Sequence, residues 1–260
     1  MKIRLLTLII SVIALSLTAS AATLSQEADS AYMNDNFARA AELYESIIKS
    51  EGSSSNLYYN LGNCYYRQGK PGLAILYYER ALRLDPSNDD ARANLAFVNT
   101  KIVDEPGDRG MFISNTINGI AQGVSANGWA TAAILSFVLL LCCVALYVFS
   151  STIKLRKFGF FAGIILIIVC VVTNIFAHIA TKYSTDSNEA IVIDPSTLLS
   201  TSPRAPKDRS EEALLLHEGT KVEILDSVST RIDSIDSKWY DVKVDNNNRA
   251  WIKASAVEKI

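Results

Sequence analysis

Hydrophobic and polar positions follow four successive rhythms along the chain. Residues 1–22 begin with Lys2 and Arg4, run apolar from Leu5 to Leu17, and close on the small residues Ala19-Ser20-Ala21-Ala22. From 23 to 105 apolar residues recur three and four apart, the spacing of amphipathic helices. Two unbroken apolar runs come next, Gly128–Ser150 and Phe158–Ala180, with no Asp, Glu, Lys or Arg inside either. From Asn188 to Ile260 the pattern becomes short alternation, in "AIVID", "KVEILD", "WYDVKVD" and "RAWIKA". There Tyr240, Val242 and Val244 fall on one side and Asp241, Lys243 and Asp245 on the other, and "DNNN" supplies a hairpin turn. The pattern therefore predicts three kinds of structure in one chain: stacked helices, a membrane hairpin, and a small barrel of short strands.

The two long runs each meet the roughly 20 apolar residues that a bilayer crossing needs. Between them, residues 151–157 ("STIKLRK") carry Lys154, Arg156 and Lys157, and so short a basic loop belongs on the cytoplasmic side. The N-terminal run reads as a secretory signal cut before Ala22 or Thr23, with an uncut anchor as the alternative. Either form exports the helical stretch behind it. Signal and loop thus predict one topology in the inner (cytoplasmic) membrane, with 23–105 and 188–260 both on the periplasmic side. Residues 106–127 place Ile113, Ile117, Ile120 and Val124 at helical spacing opposite Ser114, Asn115, Asn118 and Gln122. That stretch reads as a short amphipathic helix, lying on the membrane or packed beneath the preceding helices. Residues 181–187 read as a linker. His178 stands near the outer end of the second run, with no acidic partner in either run, and reads as interfacial.

Within the helical stretch, "NFARAAELYESIIKSE" and "KPGLAILYYERALRLDP" repeat one another. Ala40 matches Ala74, Tyr44 matches Tyr78, Glu45 matches Glu79 and Ile48 matches Leu82, each pair 34 residues apart. That period is the tetratricopeptide repeat, a helix–turn–helix unit that stacks on its neighbours. Tyr58, Leu61, Gly62, Tyr65, Gly69, Ala74, Tyr78, Ala81 and Pro86 occupy its signature positions. The first copy is weaker, with Ala28 and Ala31 in place of larger residues and Asp35 where the turn glycine belongs. A third begins at Asp89 and stops at Asp104-Glu105-Pro106-Gly107, which gives about two and a half repeats. Such stacks need about three, so a partner or the membrane is expected to complete this one. On the first helix of the better copy, Asn56, Tyr59, Asn60, Asn63, Tyr66 and Arg67 share a face opposite Tyr58, Leu61 and Tyr65. In the tetratricopeptide family that face lines a peptide-holding groove. Asparagines there bond an extended backbone in both directions, Arg67 can grip a carboxylate, and tyrosines add stiff contact area. The alternative is a solvated helix face.

Charge and candidate chemistry narrow this little further. A formal charge of −2 and a pI near 5.8 give no basic face for nucleic acid. Cys142, Cys143 and Cys170 fall in the apolar runs, which leaves Cys64 alone in an exported segment and no disulfide framework. Cys64 has no histidine in its domain to activate it, and reads as packing. Six residues lie between Gly62 and Gly69, where a phosphate loop needs four, and Pro71 follows Lys70, so no phosphate loop is formed. "SIIK" at 46–49 lacks an accompanying Lys-Thr-Gly, and His217 in "HEGTK" lacks a second histidine. The sequence offers no catalytic constellation, cofactor motif or metal site, and the reading is a non-enzyme.

The segment "LHEGTKVEILD … KWYDVKVDNNNRAWIKASAVEKI", with Trp239 and Trp251, resembles a bacterial SH3-like domain over 188–260. Lys253 and Ala256 stand where peptide-binding SH3 domains carry Pro and Tyr, so the resemblance does not extend to proline-rich ligands. Bacterial relatives bind cell-wall peptides or proteins, and Trp239 is either such a contact or a core residue. The order of modules resembles the BatE-like family of the Bacteroides aerotolerance (Bat) operon along the full chain, departing in the weak first repeat and in Ala250 where Gly is usual. That resemblance implies a membrane-anchored scaffold working with von Willebrand A-domain membrane proteins, linked to aerotolerance or envelope stress. The alternative is a sensor or anchor that holds peptidoglycan through the SH3-like domain.

Overall fold

The structure is a computed structural model that describes residues 24–104, 117, 119–185, 188–232 and 235–260. The signal-like run 1–22, the last repeat position 105, and positions 106–116 and 118 of the amphipathic stretch lie outside the described residues. The chain divides into two compact units. One holds the helical repeats together with the C-terminal strands, and the other holds the two long apolar helices.

In the first unit, helices alternate as α1 (24–33), α2 (Phe37–Glu51), α3 (Ser55–Arg67), α4 (Pro71–Leu84) and α5 (Asp89–Asn99). The starts of α2 to α5 are each fixed by a residue that deals with an orphan N–H. Asn36 accepts from Arg39 N, Ser54 from Leu57 N and Asn88 from Ala91 N, while Pro71 opens α4 at the position where its missing N–H costs nothing. The turns α1–α2 and α3–α4 use the same left-handed backbone, at Asp35 (φ 58°) and Gly69 (φ 73°). Gly62 is small because Tyr78 lies against it: a Cβ there would sit 2.7 Å from the Tyr78 ring. Ala28, Ala40, Ala41, Leu43, Tyr44, Ile47, Leu61 and Cys64 form one buried cluster between α1, α2 and α3.

A second cluster joins Ala74, Ile75, Leu76, Tyr78 and Val98 of α4 and α5 to Ile191 of the sheet, which is 0% exposed. Strand residues thus cover the face of α4 and α5 on which a further repeat helix would pack. Polar contacts frame that seam. Asp104 accepts from His217 N (2.7 Å) and Thr220 Oγ1 (2.6 Å), and lies 2.9 Å from His217 Nδ1. Arg80 pairs with Glu258 at 2.9 Å and Lys221 with Glu79 at 3.3 Å. Gly72 and Gly219 have no room for a side chain, since a Cβ would meet Val192 O at 2.9 Å and Ile102 Cγ2 at 2.6 Å respectively.

The strands are β1 (Glu189–Val192), β2 (Ser196–Ser200), β3 (Glu212–His217), β4 (Lys221–Ile232), β5 (Ile235–Lys243), β6 (Arg249–Lys253) and β7 (Val257–Lys259). They form one antiparallel sheet in the order β3-β2-β6-β5-β4-β1-β7, and it is not closed, unlike the barrel expected. Residues 201–211 connect β2 to β3, which pair with each other in the register Leu198↔Leu215. Val242 and Ala250 face one another across β5 and β6 in the sheet's core with Val222, Leu216 and Ile252. Asp241, on the opposite side of β5, is not solvated. It is 4% exposed and gripped by Arg249 through Nε at 3.0 Å to both oxygens.

In the second unit, α6 (Ala126–Phe149) and α7 (Ile153–Thr185) pack as a hairpin, both long and apolar enough to cross a membrane. Small residues make the seam: Ala133, Ser136 and Cys143 on α6, and Gly159, Gly163, Thr173 and Ala180 on α7, are buried. Gly159 and Gly163 form a small-xxx-small pair that lets the two backbones approach closely. A Cβ on Gly159 would stand 2.7 Å from Cys143 O. Only 6% of the most apolar window of α7 is buried, which is the reverse of a soluble core helix. Two boundaries differ from expectation. Lys154, Arg156 and Lys157 lie in the first turns of α7, since three residues, 150–152, suffice to reverse the chain. The supposed linker continues α7 through Thr185, because nothing between Ala180 and Thr185 breaks a helix. A short helical turn at 119–122 precedes α6, and Trp129 Nε1 donates to Ala121 O at 2.9 Å.

Candidate partner-binding groove

Side chains mainly from α1, α3 and α5, with Tyr44 of α2 and Tyr78 of α4, line two adjoining hollows of the repeats. The first, about 180 Å³, is walled by Asp29, Tyr32, Met33, Tyr44, Asn60 and Asn63. The second, about 190 Å³, is walled by Tyr32, Asn63, Tyr66, Arg67, Asn94 and Phe97, with Tyr78 and Val98 at its base. Asn63 stands between them. Its Oδ1 accepts from Tyr78 OH at 2.6 Å and from Asn94 Nδ2 at 2.9 Å, so its amide hydrogens are the groups left for a ligand among the described residues. Tyr44 donates to Asp29 at 2.5 Å, and burial, with that bond second, pushes its phenol well above the usual range. Burial likewise raises Tyr78. Both phenols therefore act as neutral donors. Tyr66 and Phe97 meet edge to face at 5.8 Å and form an exposed aromatic corner.

Four of the sequence-derived site residues, Asn60, Asn63, Tyr66 and Arg67, line these hollows. The rest do not. Asn56 is exposed at the start of α3 and lines neither hollow. Tyr59 is half-buried against Tyr78, ring centroids 6.2 Å apart, and packs with the α4–α5 cluster. Arg67 is not a spare cation for a carboxylate: it bonds Asp35 at 3.1 Å and covers the Phe37 ring at 4.2 Å. Trp239 is 6% exposed, between Val228 of β4 and Lys253 of β6, so it is a core residue and offers no contact surface. Asp29, Tyr32, Asn94 and Phe97 join the groove without a signal on α3 itself. The repeat offset is the signal that finds them, since Asn94 and Phe97 follow Asn60 and Asn63 by 34 residues, as Tyr66 follows Tyr32. Cys64 faces inward in the α2–α3 cluster, and burial pushes its thiol up to about 12, which leaves it protonated and inert.

Paired antiparallel helices, left-handed turns 34 residues apart and a groove from alternate helices describe one architecture. Residues 25–89 match the tetratricopeptide repeat family. The match covers α1 to the first residue of α5, and so takes in the first hollow entirely. Tetratricopeptide repeats are protein-interaction modules. Comparison of the chain with curated proteins gives no match.

Proposed function

We propose that this chain is a membrane-anchored scaffold whose tetratricopeptide groove holds an extended segment of a partner protein. The observation that carries the reading is the line of Asn60, Asn63 and Asn94 beside the Tyr66–Phe97 corner. Amides at intervals suit the alternating N–H and C=O groups of an extended backbone, and a rigid aromatic pair suits one anchoring side chain. With Arg67 committed to Asp35, the groove is not a clamp for a terminal carboxylate.

In this reading α6 and α7 cross the inner membrane. Two crossings return the chain to the side it left, in keeping with repeats and sheet that share one compact unit. The signal-like N-terminus and the basic residues at the hairpin tip favour the periplasmic side for that unit. The sheet is then an SH3-like domain that splints the repeat stack. The partners that fit the module order are von Willebrand A-domain membrane proteins of a Bat-type complex, linked to aerotolerance or envelope stress.

Affinity isolation of the full-length protein from native membranes, beside an Asn60→Ala/Tyr66→Ala variant, tests this. Von Willebrand A-domain proteins should accompany the wild type and fall at least tenfold with the variant, whose Asn63–Tyr78–Asn94 network is untouched. Equal recovery on both removes the groove from the reading. Recovery of peptidoglycan fragments in place of protein replaces the scaffold with a wall sensor.

A further inference from the structure

Nothing on α1 is basic: residues 24–33 include Glu27 and Asp29 and no Lys, Arg or His. Glu27 is paired with Arg39 at 3.0 Å. Asp29 precedes Tyr32 and Met33 by three and four residues, so the three share one face of the helix. That face walls the first hollow. The carboxylate there is half engaged. Its Oδ1 accepts from Tyr44 OH at 2.5 Å, while its Oδ2 has no hydrogen bond, and the group no ion pair, among the described residues.

The charge of the groove follows from this. Of the residues that line the two hollows, only Asp29 and Arg67 carry charge. Asp35 cancels Arg67 at 3.1 Å. One uncompensated negative charge remains, and it stands in the first hollow, where it repels an anion and attracts a cation. The walls beside it suit the rest of a basic side chain. Tyr32 is held edge to face by Phe37, ring centroids 5.2 Å apart, and gives a fixed aromatic surface to a cation or its methylenes. Met33 is 81% exposed, a flexible thioether free to fold over an aliphatic stem. A surface carboxylate open to water holds a cation weakly. An occupant that fills this hollow displaces that water and strengthens the attraction.

We propose that the first hollow is a subsite for a Lys or Arg side chain of the partner segment, with its head group on Asp29 Oδ2 and its stem against Tyr32 and Met33. The inference rests on the groove reading above and names the residue that the groove selects. Tyr32 and Asn63 wall both hollows, so the basic side chain and the apolar one on the Tyr66–Phe97 corner are neighbours along one side of the segment. In extended backbone such neighbours are two positions apart. The segment therefore carries a basic and an apolar residue at alternate positions.

The test is selection of a display library of random dodecapeptides on the full-length protein in nanodiscs, after depletion on empty nanodiscs. The wild type is run beside Asp29→Asn, Asp29→Lys and Asn60→Ala/Tyr66→Ala. Peptides recovered on the wild type should carry Lys or Arg two positions from an apolar residue at least fivefold more often than the library does. Asp29→Asn keeps an acceptor for Tyr44 and should return the basic frequency to that of the library with the apolar position retained, which shows the groove still folded. Asp29→Lys should turn the preference to Asp or Glu. Basic enrichment that survives Asp29→Asn, or groove-dependent peptides without a basic position, overturns the subsite and leaves the groove standing. Peptides recovered equally on Asn60→Ala/Tyr66→Ala, or none recovered on the wild type, overturn the groove reading and the subsite with it.

Discussion

At the scale of single residues, backbone geometry and one carboxylate carry the sharpest consequences. Gly69 holds φ 73° with open space where a side chain would go, so only the backbone objects to a substitution there. Gly69→Ala should cost about 1 kcal/mol or somewhat more, read as a lower denaturation midpoint at unchanged slope. Asp35 tolerates the equivalent turn because aspartate is among the residues that visit the left-handed region. Asp104 shows how the seam responds to pH. Burial alone would raise its carboxyl, but hydrogen bonds from Thr220 and from the His217 backbone and ring outweigh that and hold it below the ordinary 3.8. A depressed folded pKa stabilises fully above the unfolded value and is lost as pH falls through the folded one. Amide exchange at His217 and Thr220 should therefore accelerate below about pH 3.8 relative to the core of the sheet. Asp104→Asn should flatten that acid dependence, and an unchanged profile would remove Asp104 from the seam.

At the scale of elements, the deciding quantity is how closely a neighbour approaches. The α6–α7 hairpin rests on Gly159, whose Cα faces the Cys143 carbonyl. Gly159→Leu should force the helices apart there, and a spin-label pair at Leu146 and Phe160 should broaden and lengthen in distance. The same substitution at exposed Ile165 should do neither. Gly62→Ala should push the Tyr78 ring from its place and loosen its bond to Asn63, at about 1–3 kcal/mol by overpacking. Both effects arise from a glycine read beside its partner, and the partner is not visible from the glycine. The strands show the same limit. Short alternating runs mark β1, β4, β5 and β6, yet β2 and β3 escape notice because "STLLS" and "EALLLH" carry no clean alternation. They become strands through pairing with each other and, at Ser200, with Trp251 of β6.

At the scale of the whole molecule, repeats and sheet behave as one body because Ile191 completes a cluster made otherwise of α4 and α5. Ile191→Ala should cost about 2–5 kcal/mol, and the loss should appear as faster amide exchange in α4 and α5 as well as in β1. Loss confined to the strands would mean that the repeats stand alone. An incomplete stack of about two and a half repeats is thus explained within the chain: the missing apolar cover is supplied from residues about a hundred positions later.

Local patterns carried far in this chain. A 34-residue offset identifies the repeats, and two charge-free apolar runs identify the hairpin, since both reflect periodicity and solvent preference that each residue expresses by itself. Asn60, Asn63 and Tyr66 were legible as groove residues for the same reason, lying on one face of one helix. What the fold alone decided is every feature made by residues distant in sequence. Arg67 is spent on Asp35, and Trp239 is shut between β4 and β6. The sheet stays open, and Ile191 of its β1 seals the repeats. Burial and pairing are properties of neighbours brought together by folding, and a pattern confined to one segment holds no record of which neighbours those will be.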